Sequence, residues 1–383
     1  MTDRVKVAAV NIFRFATAIT FIVSGFVKAV DPAGTQYKIE DYLGAIGLGG
    51  MVPDMVEIMV AVVLSGVEFT LGMLLLMAIR RRLVSRLIVV FMIVMTAITI
   101  WLYVADPVQD CGCFGDAIKL SNGESLTKNV VLLVMAIVVA WRPLDMVRFL
   151  SRSTQWIVIN YTAIFILVVS GYSLYYLPLM DFRPYKVGVD LREATTVKEG
   201  EYLPEIDDFF LMNENLDDVT KEVLGYEGYT YMLISPYLEK ADDSLFDEIN
   251  SLFDYAKEEG HRFACITASS DDAIERWKDC TGARYPFMAA DEVMLKTIIR
   301  SNPGIVLMHD GRIEGKWGKN SLSEELRVKN EELEMDSDGQ FSTSNFQLST
   351  VTIMIGWYIV PLLLLTIADR TWAWTKWIRR KQK

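Results

Sequence analysis

Six long apolar runs constrain this chain more strongly than any other feature of its sequence. A helix needs about 20 residues to cross the hydrocarbon core of a bilayer. These runs therefore predict an α-helical membrane bundle of six transmembrane helices in a lipid bilayer. They cover Ala8–Val30, Glu57–Ile79, Leu87–Ala105, Lys128–Leu144, Ile157–Leu179 and Leu348–Ile367.

The basic residues that flank these runs predict the orientation of the chain, since arginine and lysine accumulate at cytoplasmic helix ends. They cluster at alternate ends: Arg4, Lys6, Arg80, Arg81, Arg82, Arg86, Arg142, Arg148, Arg152, Arg379, Arg380, Lys381 and Lys383. The pattern predicts a multi-pass protein of the bacterial inner membrane with cytoplasmic termini and a large periplasmic insert. A cleaved signal peptide is a poor alternative for the first run, which is too long and contains Arg14.

Charge is divided unevenly between the membrane runs and the insert. The segment from Asp181 to Thr350 holds 36 acidic and 18 basic residues, whereas the rest of the chain holds 13 and 20. A nucleic-acid-binding domain would carry a basic patch. Nucleic acid is therefore excluded as a partner, and the hydrophobic fraction of 52% excludes a disordered chain.

Several local patterns lie in the first half of the chain: Ser24–Lys28, Asp31-Pro32, Tyr42-Leu43, Glu68 and the sequence Cys-Gly-Cys-Phe-Gly that begins at Cys111. Together they resemble the DoxX and MauE family of four-helix membrane proteins. The match covers about residues 8–144, and its most specific element is the Cys-Gly-Cys-Phe-Gly sequence. The resemblance implies a membrane fold and an association with envelope redox chemistry or with the maturation of disulfide-containing proteins.

Cys111 and Cys113 are candidate catalytic residues, as a redox pair in a loop outside the membrane. Gly112 relieves the strain of the small ring that the oxidised pair would close, and a strained, exposed disulfide exchanges readily. The carboxylates of Asp110 and Asp116 argue the other way, because negative charge raises a thiol pKa. A structural clip on the loop stays an alternative. Metal binding is disfavoured, because two cysteines without a nearby histidine do not complete a tetrahedral site.

Ionisable residues inside predicted spans usually face the bundle interior and find partners. Arg14 and Glu68 lie at depths that a long arginine side chain can bridge, so the sequence predicts that they pair. The pair is either structural or part of a proton or substrate relay. Lys28 lies near the outer surface and is expected to pair with Asp31, an acidic lipid or a partner group.

The acidic insert alternates strands and helices and ends in a hairpin over Asp310-Gly311, which predicts a mixed α/β sheet. The predicted strands are Tyr229–Ser235, Arg262–Ala268, Pro286–Ala290, Gly304–His309 and Arg312–Trp317; the helices are Asp242–Glu259, Asp271–Cys280 and Glu292–Arg300. This order resembles the thioredoxin fold of the TlpA and peroxiredoxin group. The resemblance implies that Pro303 is the cis-proline facing the active site.

The insert departs from that family where the first core strand ends. A working thioredoxin carries its cysteine pair there, at a helix N-terminus, whereas this chain has Ser235-Pro236-Tyr237-Leu238-Glu239-Lys240. The sequence thus predicts a degenerate thioredoxin domain that binds a partner. Its expected partner-binding residues are Ser235, Pro236, Tyr237, Asn302 and Pro303. Cys265 and Cys280 are expected to be buried inert thiols or a disulfide, and His261 and His309 ordinary surface residues.

The predicted domain boundaries follow from these patterns. They are a DoxX/MauE-like domain at 1–150, a fifth helix at 151–180, the thioredoxin-like domain at 181–320, an acidic tether at 321–347 with a short helix around Ser323–Leu333, and the sixth helix with a basic tail at 348–383. In that tail Trp372, Trp374 and Trp377 are expected to anchor the chain at the membrane interface.

Two functions fit the sequence. In the first, Cys111 and Cys113 exchange with an envelope or periplasmic protein and pass electrons to a quinone, the one candidate cofactor. In the second, the bundle and the degenerate domain scaffold an envelope complex without catalysis. The sequence predicts neither the oligomeric state nor the identity of the partner.

Overall fold

The computed structural model describes residues 3–108, 111–197, 202–322 and 344–381. The chain forms two compact units, one from residues 1–174 with 351–383 and the other from residues 175–350. Among these described residues, six helices are long and apolar enough to cross a membrane. The predicted six-helix bundle is confirmed, and the chain is a multi-pass membrane protein.

The membrane unit contains helices α1 to α6 and the last helix, α12. Their bounds are α1 Asp3–Val30, α2 Pro32–Ala45, α3 Asp54–Leu76, α4 Arg81–Ala105, α5 Asn122–Trp141, α6 Gln155–Tyr175 and α12 Ser344–Lys381. The short helix α2 was not predicted. Asp31 begins it, because its carboxylate accepts the Gly34 amide at 2.9 Å and Pro32 suits the first helical turn.

Close packing of α1 on α3 depends on two glycines. A Cβ atom at Gly25 would lie 2.4 Å from the Phe69 backbone nitrogen, and one at Gly72 would lie 2.8 Å from the Ile22 nitrogen. Small residues of this kind let membrane helices approach closely. The two contacts fix the antiparallel register of α1 and α3, and with it the partners of the polar groups on their shared face.

The α/β unit is built on a five-stranded sheet with strand order β3-β2-β1-β4-β5. Strands β1 to β3 are parallel, and β4 and β5 are antiparallel. The strands are β1 Tyr229–Ser235, β2 Arg262–Thr267, β3 Phe287–Ala289, β4 Gly304–His309 and β5 Arg312–Gly318; the helices are α7 Leu191–Ala194, α8 Thr220–Leu224, α9 Phe246–Glu258, α10 Asp271–Thr281 and α11 Glu292–Ile298. The predicted mixed sheet is confirmed, with bounds shifted by a few residues at helix ends.

Alternate residues of the central strand β1 enter two different cores. Met232 and Ile234 belong to one cluster of buried side chains, and Tyr231 and Leu233 to the other. A strand that is buried on both faces has a continuous apolar sequence, as this one does. The β4–β5 hairpin turns at Asp310 and Gly311, which both have the positive φ angles that a two-residue hairpin requires.

The core of the α/β unit includes residues that precede its sheet. Tyr185 and Leu191 are fully buried in one of the clusters. Asp181 binds Arg183 Nε at 2.7 Å and Lys316 Nζ at 3.0 Å, and all three side chains are largely buried. A fragment that begins near residue 200 would therefore lack part of the core. The predicted tether and its short helix lie largely outside the described residues.

Candidate functional site

Cys111 and Cys113 come together in the loop between α4 and α5. Their sulfur atoms are 2.6 Å apart as two free thiols. Gly112 between them has φ +58°, a conformation that L side chains rarely adopt, and a Cβ there would lie 3.0 Å from Lys38 Cγ. Glycine at this position therefore allows the turn that brings the thiols together.

The cysteines are buried, contrary to the exposed pair that the sequence suggested. Each residue is 7% exposed, within a cluster that includes Leu102 and Phe114. The Tyr42 hydroxyl donates to the Cys111 carbonyl at 2.5 Å, and the Tyr42 ring meets Trp101 edge to face. Helix α2, which carries Tyr42, thus covers the loop and holds its backbone.

A chain of buried polar groups connects the loop to α1 and α3. The Ser24 hydroxyl donates to the Cys113 carbonyl at 2.6 Å and accepts from Lys28 Nζ at 3.2 Å. Lys28 Nζ also donates to Glu68 Oε2 at 2.6 Å, with both side chains buried. The predicted partners of Lys28, which were Asp31, a lipid or a partner group, are therefore wrong.

The prediction that Arg14 pairs with Glu68 is also wrong, and the register of α1 on α3 explains why. With Gly25 beside Phe69, Glu68 lies level with the outer part of α1, while Arg14 lies level with the end of α3. The Arg14 guanidinium donates to the Leu76 carbonyl at 2.6 Å. It therefore satisfies a carbonyl in the last turn of α3, which has no partner within the helix.

The surroundings of the two thiols lower the pKa of one and raise that of the other. The hydrogen bond from Cys111 lowers the pKa of Cys113 to about 6 against the opposing effect of burial, and the ammonium groups of Lys128 and Lys28 add to the lowering. The same hydrogen bond, with burial, raises the pKa of Cys111. Cys113 is therefore the more acidic thiol of the pair.

The carboxylates that were expected to raise the thiol pKa do not dominate the site. Asp110 lies outside the described residues, and the nearby charges with the larger effects on the pKa of Cys113 are the two lysines. Lys128 also lies over the Phe114 ring, with Nζ 4.3 Å from the centroid. In the sequence Lys128 is simply the first residue of an apolar run. Its place beside the thiols was missed, because it depends on how α5 packs against the loop.

The predicted partner-binding residues of the α/β unit also come together, but most of them are buried. The Ser235 hydroxyl donates to Asn302 Oδ1 at 2.7 Å, and Asn302 Nδ2 donates to the Tyr237 carbonyl at 2.8 Å. The Asn302–Pro303 peptide is cis, as the resemblance implied. Ser235, Pro236 and Pro303 are buried, so that only Tyr237 and Asn302 reach the surface.

The remaining cysteines and histidines differ in part from expectation. Cys265 is buried on β2, whereas Cys280 is exposed on α10, and both are free thiols. His261 and His309 are not isolated, because both rings contact Tyr229, with centroids at 5.1 and 4.3 Å. Among the described residues, no group of three or more histidine, cysteine or acidic side chains could hold a metal ion.

Comparisons with known proteins agree with this division of the chain. Residues 6–142 match the family described as methylamine utilisation protein MauE. No curated protein has a matching sequence.

Solved structures resemble the chain only weakly. The thioredoxin domain of a thiol-disulfide oxidoreductase from Bacteroides vulgatus is 10% identical, with 35% of this chain and 96% of that chain covered and a TM-score of 0.26. The thiol peroxidase from Chromobacterium violaceum is 15% identical, with 39% and 91% covered and a TM-score of 0.23. The fold assignment rests on the strand order given above. The chain therefore joins a membrane region that matches the MauE family, residues 6–142, to a thioredoxin-like α/β domain.

Proposed function

We propose that this protein is a thiol–disulfide exchange component of the bacterial inner membrane, in which Cys111 and Cys113 oxidise the thiols of a periplasmic partner protein. The observation that carries the proposal is the thiol pair itself, with sulfur atoms 2.6 Å apart and the pKa of Cys113 lowered to about 6. When the reduced form of a thiol pair is stabilised as a thiolate, the disulfide form of that pair is a stronger oxidant. Electrons therefore move from the thiols of the partner to this pair.

The exchange step balances without another reactant. A partner thiolate attacks Cys111 of the oxidised pair and forms a mixed disulfide, while the sulfur–sulfur bond breaks and Cys113 leaves as the thiolate. The second partner thiol then attacks the partner's own sulfur in the mixed disulfide, the intermolecular sulfur–sulfur bond breaks, and Cys111 leaves and takes up a proton. The partner gains a disulfide, and this protein gains two thiols and two electrons. Cys113 is the leaving group because the sulfur with the lower pKa leaves faster.

The buried Glu68–Lys28–Ser24 chain supports this assignment by fixing the loop and by supplying positive charge. Ser24 holds the Cys113 carbonyl, and Lys28 lowers the pKa of Cys113. Each cysteine is only 7% exposed, so access to the pair is restricted. A buried thiol pair beside positive charge is better suited to exchange with one docked partner protein than with free thiols in solution.

The periplasmic location of the loop and of the α/β domain rests on the arginine clusters at alternate helix ends. Quinone coupling stays a prediction. Two cavities of about 600 Å³ lie at the helix ends away from the loop, and neither is lined by Cys111 or Cys113.

Trapping of mixed disulfides tests the proposal. Cys113→Ser leaves Cys111 able to attack a disulfide of the oxidised partner, and without Cys113 the mixed disulfide is not resolved. We therefore expect a covalent adduct that a reductant releases. Cys111→Ser should hold much less, and Cys280→Ser, which removes an exposed thiol elsewhere, is the matched control. Redox titration of the wild-type pair should give a reduction potential above about −300 mV. Structural disulfides, which resist reduction, have potentials below that value. A lower midpoint and no adduct would contradict the proposal.

A non-catalytic scaffold is the second candidate, and two observations favour it. Both cysteines are only 7% exposed, and the thioredoxin-like domain has no cysteine between positions 235 and 240. In a scaffold the thiols would brace the loop, and partner capture would depend on the domain surface. Asn302→Lys should then abolish partner capture, whereas replacement of both loop cysteines by serine should leave it unchanged.

A further inference from the structure

The N-terminal ends of α4 and α6 border a cavity of about 600 Å³ with a strongly basic wall. Five arginines line it: Arg80, Arg81, Arg82, Arg148 and Arg152. None of its lining residues, all in the described part of the chain, is acidic. Its volume lies within the range of about 300–1,000 Å³ that is typical of ligand sites.

No ion pair between described residues neutralises the exposed arginines of this cavity. Within the described ranges, Arg80, Arg82, Arg148 and Arg152 form no ion pair. The carboxylate in the same loop, Asp145, pairs with Arg142 at 2.9 Å. Like charges held this close repel one another, so an anion in the cavity would relieve the repulsion.

One arginine of the wall, Arg81, is held in place by hydrogen bonds to the protein backbone. Arg81 Nη1 donates to the carbonyls of Leu144 and Met146, both at 2.8 Å, and ties the loop after α5 to the start of α4. Arg81 Nε is buried without a hydrogen-bond partner. Ala78 and Arg80 have φ angles of 54° and 40°, which are uncommon for residues with a side chain. The turn between α3 and α4 therefore directs its arginines at some cost in backbone energy.

Apolar side chains continue the cavity along the helices. Trp156 is 63% exposed and Leu83 is 49% exposed, and both line it. Aromatic rings of this kind lie at the level of lipid headgroups. The rule that basic residues flank membrane helices explains charges in loops, but it does not require five of them to line one cavity with an apolar rim.

We propose that this cavity binds the phosphate headgroup of an anionic phospholipid. Guanidinium groups bind phosphate oxygens in a fork geometry, and basic pockets between membrane helices take acidic headgroups. The acyl chains would lie along Leu83 and Trp156. Free phosphate carries the same anionic oxygens, but it has no apolar group that could contact Leu83 and Trp156. The site is independent of the thiol pair.

Lipid retention by the full-length protein tests this inference. The protein would be placed in nanodiscs of phosphatidylcholine with a minor fraction of phosphatidylglycerol, and the retained lipid measured by native mass spectrometry. Removing one arginine near an anionic headgroup should change the affinity for the lipid by about fivefold. Arg148→Ala and Arg152→Ala should each weaken retention by about that factor. Arg86→Ala, which removes an exposed arginine of α4 outside the cavity, should leave it unchanged.

Two results would overturn the inference. Equal losses for Arg86→Ala and the cavity variants would mean that only the total charge matters. Binding of inorganic phosphate that protects the protein against heat as well as phosphatidylglycerol does would make free phosphate the ligand. Thermal unfolding of each variant in phosphatidylcholine alone checks folding. We expect midpoints no lower than that of the wild type, because no anionic headgroup is present there and removing one arginine reduces the repulsion within the cavity.

Discussion

The two regions of this protein treat thiol chemistry in opposite ways. The thioredoxin-like domain keeps the sheet, the strand order and the cis-proline of a redox fold, but it has tyrosine and lysine where thiols would react. The membrane region has a different fold and holds two thiols in contact in a short loop. Fold and chemistry are therefore separable, because the reaction depends on a few side chains placed on the fold.

The electrostatic surroundings of the cysteines differ in the same way. Cys265 lies in the apolar core of the α/β domain, and burial raises the pKa of its thiol. Cys113 is buried too, but the hydrogen bond from Cys111 and the ammonium groups of Lys128 and Lys28 lower its pKa to about 6. Burial alone thus makes a thiol inert, and burial beside a hydrogen-bond donor and positive charge makes it a thiolate.

Introducing two thiols into the α/β domain should have the largest effect, because it would remove the difference in thiol chemistry between the two regions. We expect the wild-type domain, from about residue 175 to 322, to show no insulin reduction, because residues 235–240 contain no thiol. Tyr237→Cys with Lys240→Cys places two thiols beside the cis-proline and should produce measurable reduction. Tyr237→Ser with Lys240→Ser is the control. Insulin reduction by the wild-type domain near the rate of an ordinary thioredoxin would contradict the assignment.

Removing one member of the Lys28–Glu68 pair should destabilise the membrane region by about 3–5 kcal/mol, because it leaves a buried charge without its partner. Lys28→Met and Glu68→Met test this through thermal unfolding in detergent. The double variant Lys28→Met with Glu68→Met should recover most of the loss. Fully additive losses would show that the two residues do not interact.

The pH dependence of thiol alkylation should sharpen the contrast between the two regions. Because the pKa of Cys113 is lowered to about 6, its thiolate persists above that pH and is lost as the pH falls below it. Alkylation of the reduced protein should follow this profile at Cys113, whereas Cys265 should stay unmodified in the folded protein. A Cys113 midpoint at the ordinary value for a free thiol would contradict the charge environment described above.

The smallest expected effect concerns Lys128, whose ammonium group is a secondary cause of the low pKa of Cys113. Lys128→Met should raise the alkylation midpoint by about one unit, which corresponds to about 1.4 kcal/mol. Lys119→Met, in the same stretch of chain, is a control for the loss of one positive charge. An equal shift in both variants would mean that the effect is not local to the thiols.

Much of the architecture could be predicted from local patterns. Apolar runs of sufficient length predicted six helices, and the alternation of β1 to β5 with helices predicted the mixed sheet, because both signals depend on neighbouring residues. Helix α2 was missed, although Asp31-Pro32 is a helix-start signal. The core contributed by Tyr185 and Leu191 was missed because these residues contact strands far away in the sequence.

The sequence by itself determined which side chains are available: two thiols with one glycine between them, a few ionisable residues within apolar helices, and no thiol in residues 235–240, where β1 ends. Only the tertiary structure decided how they pair. The contact of Gly25 with Phe69 sets the register of α1 on α3, and that register gives Glu68 to Lys28 rather than to Arg14. A shift of one helical turn moves a side chain by about 5.4 Å, which is enough to exchange one ionic partner for another.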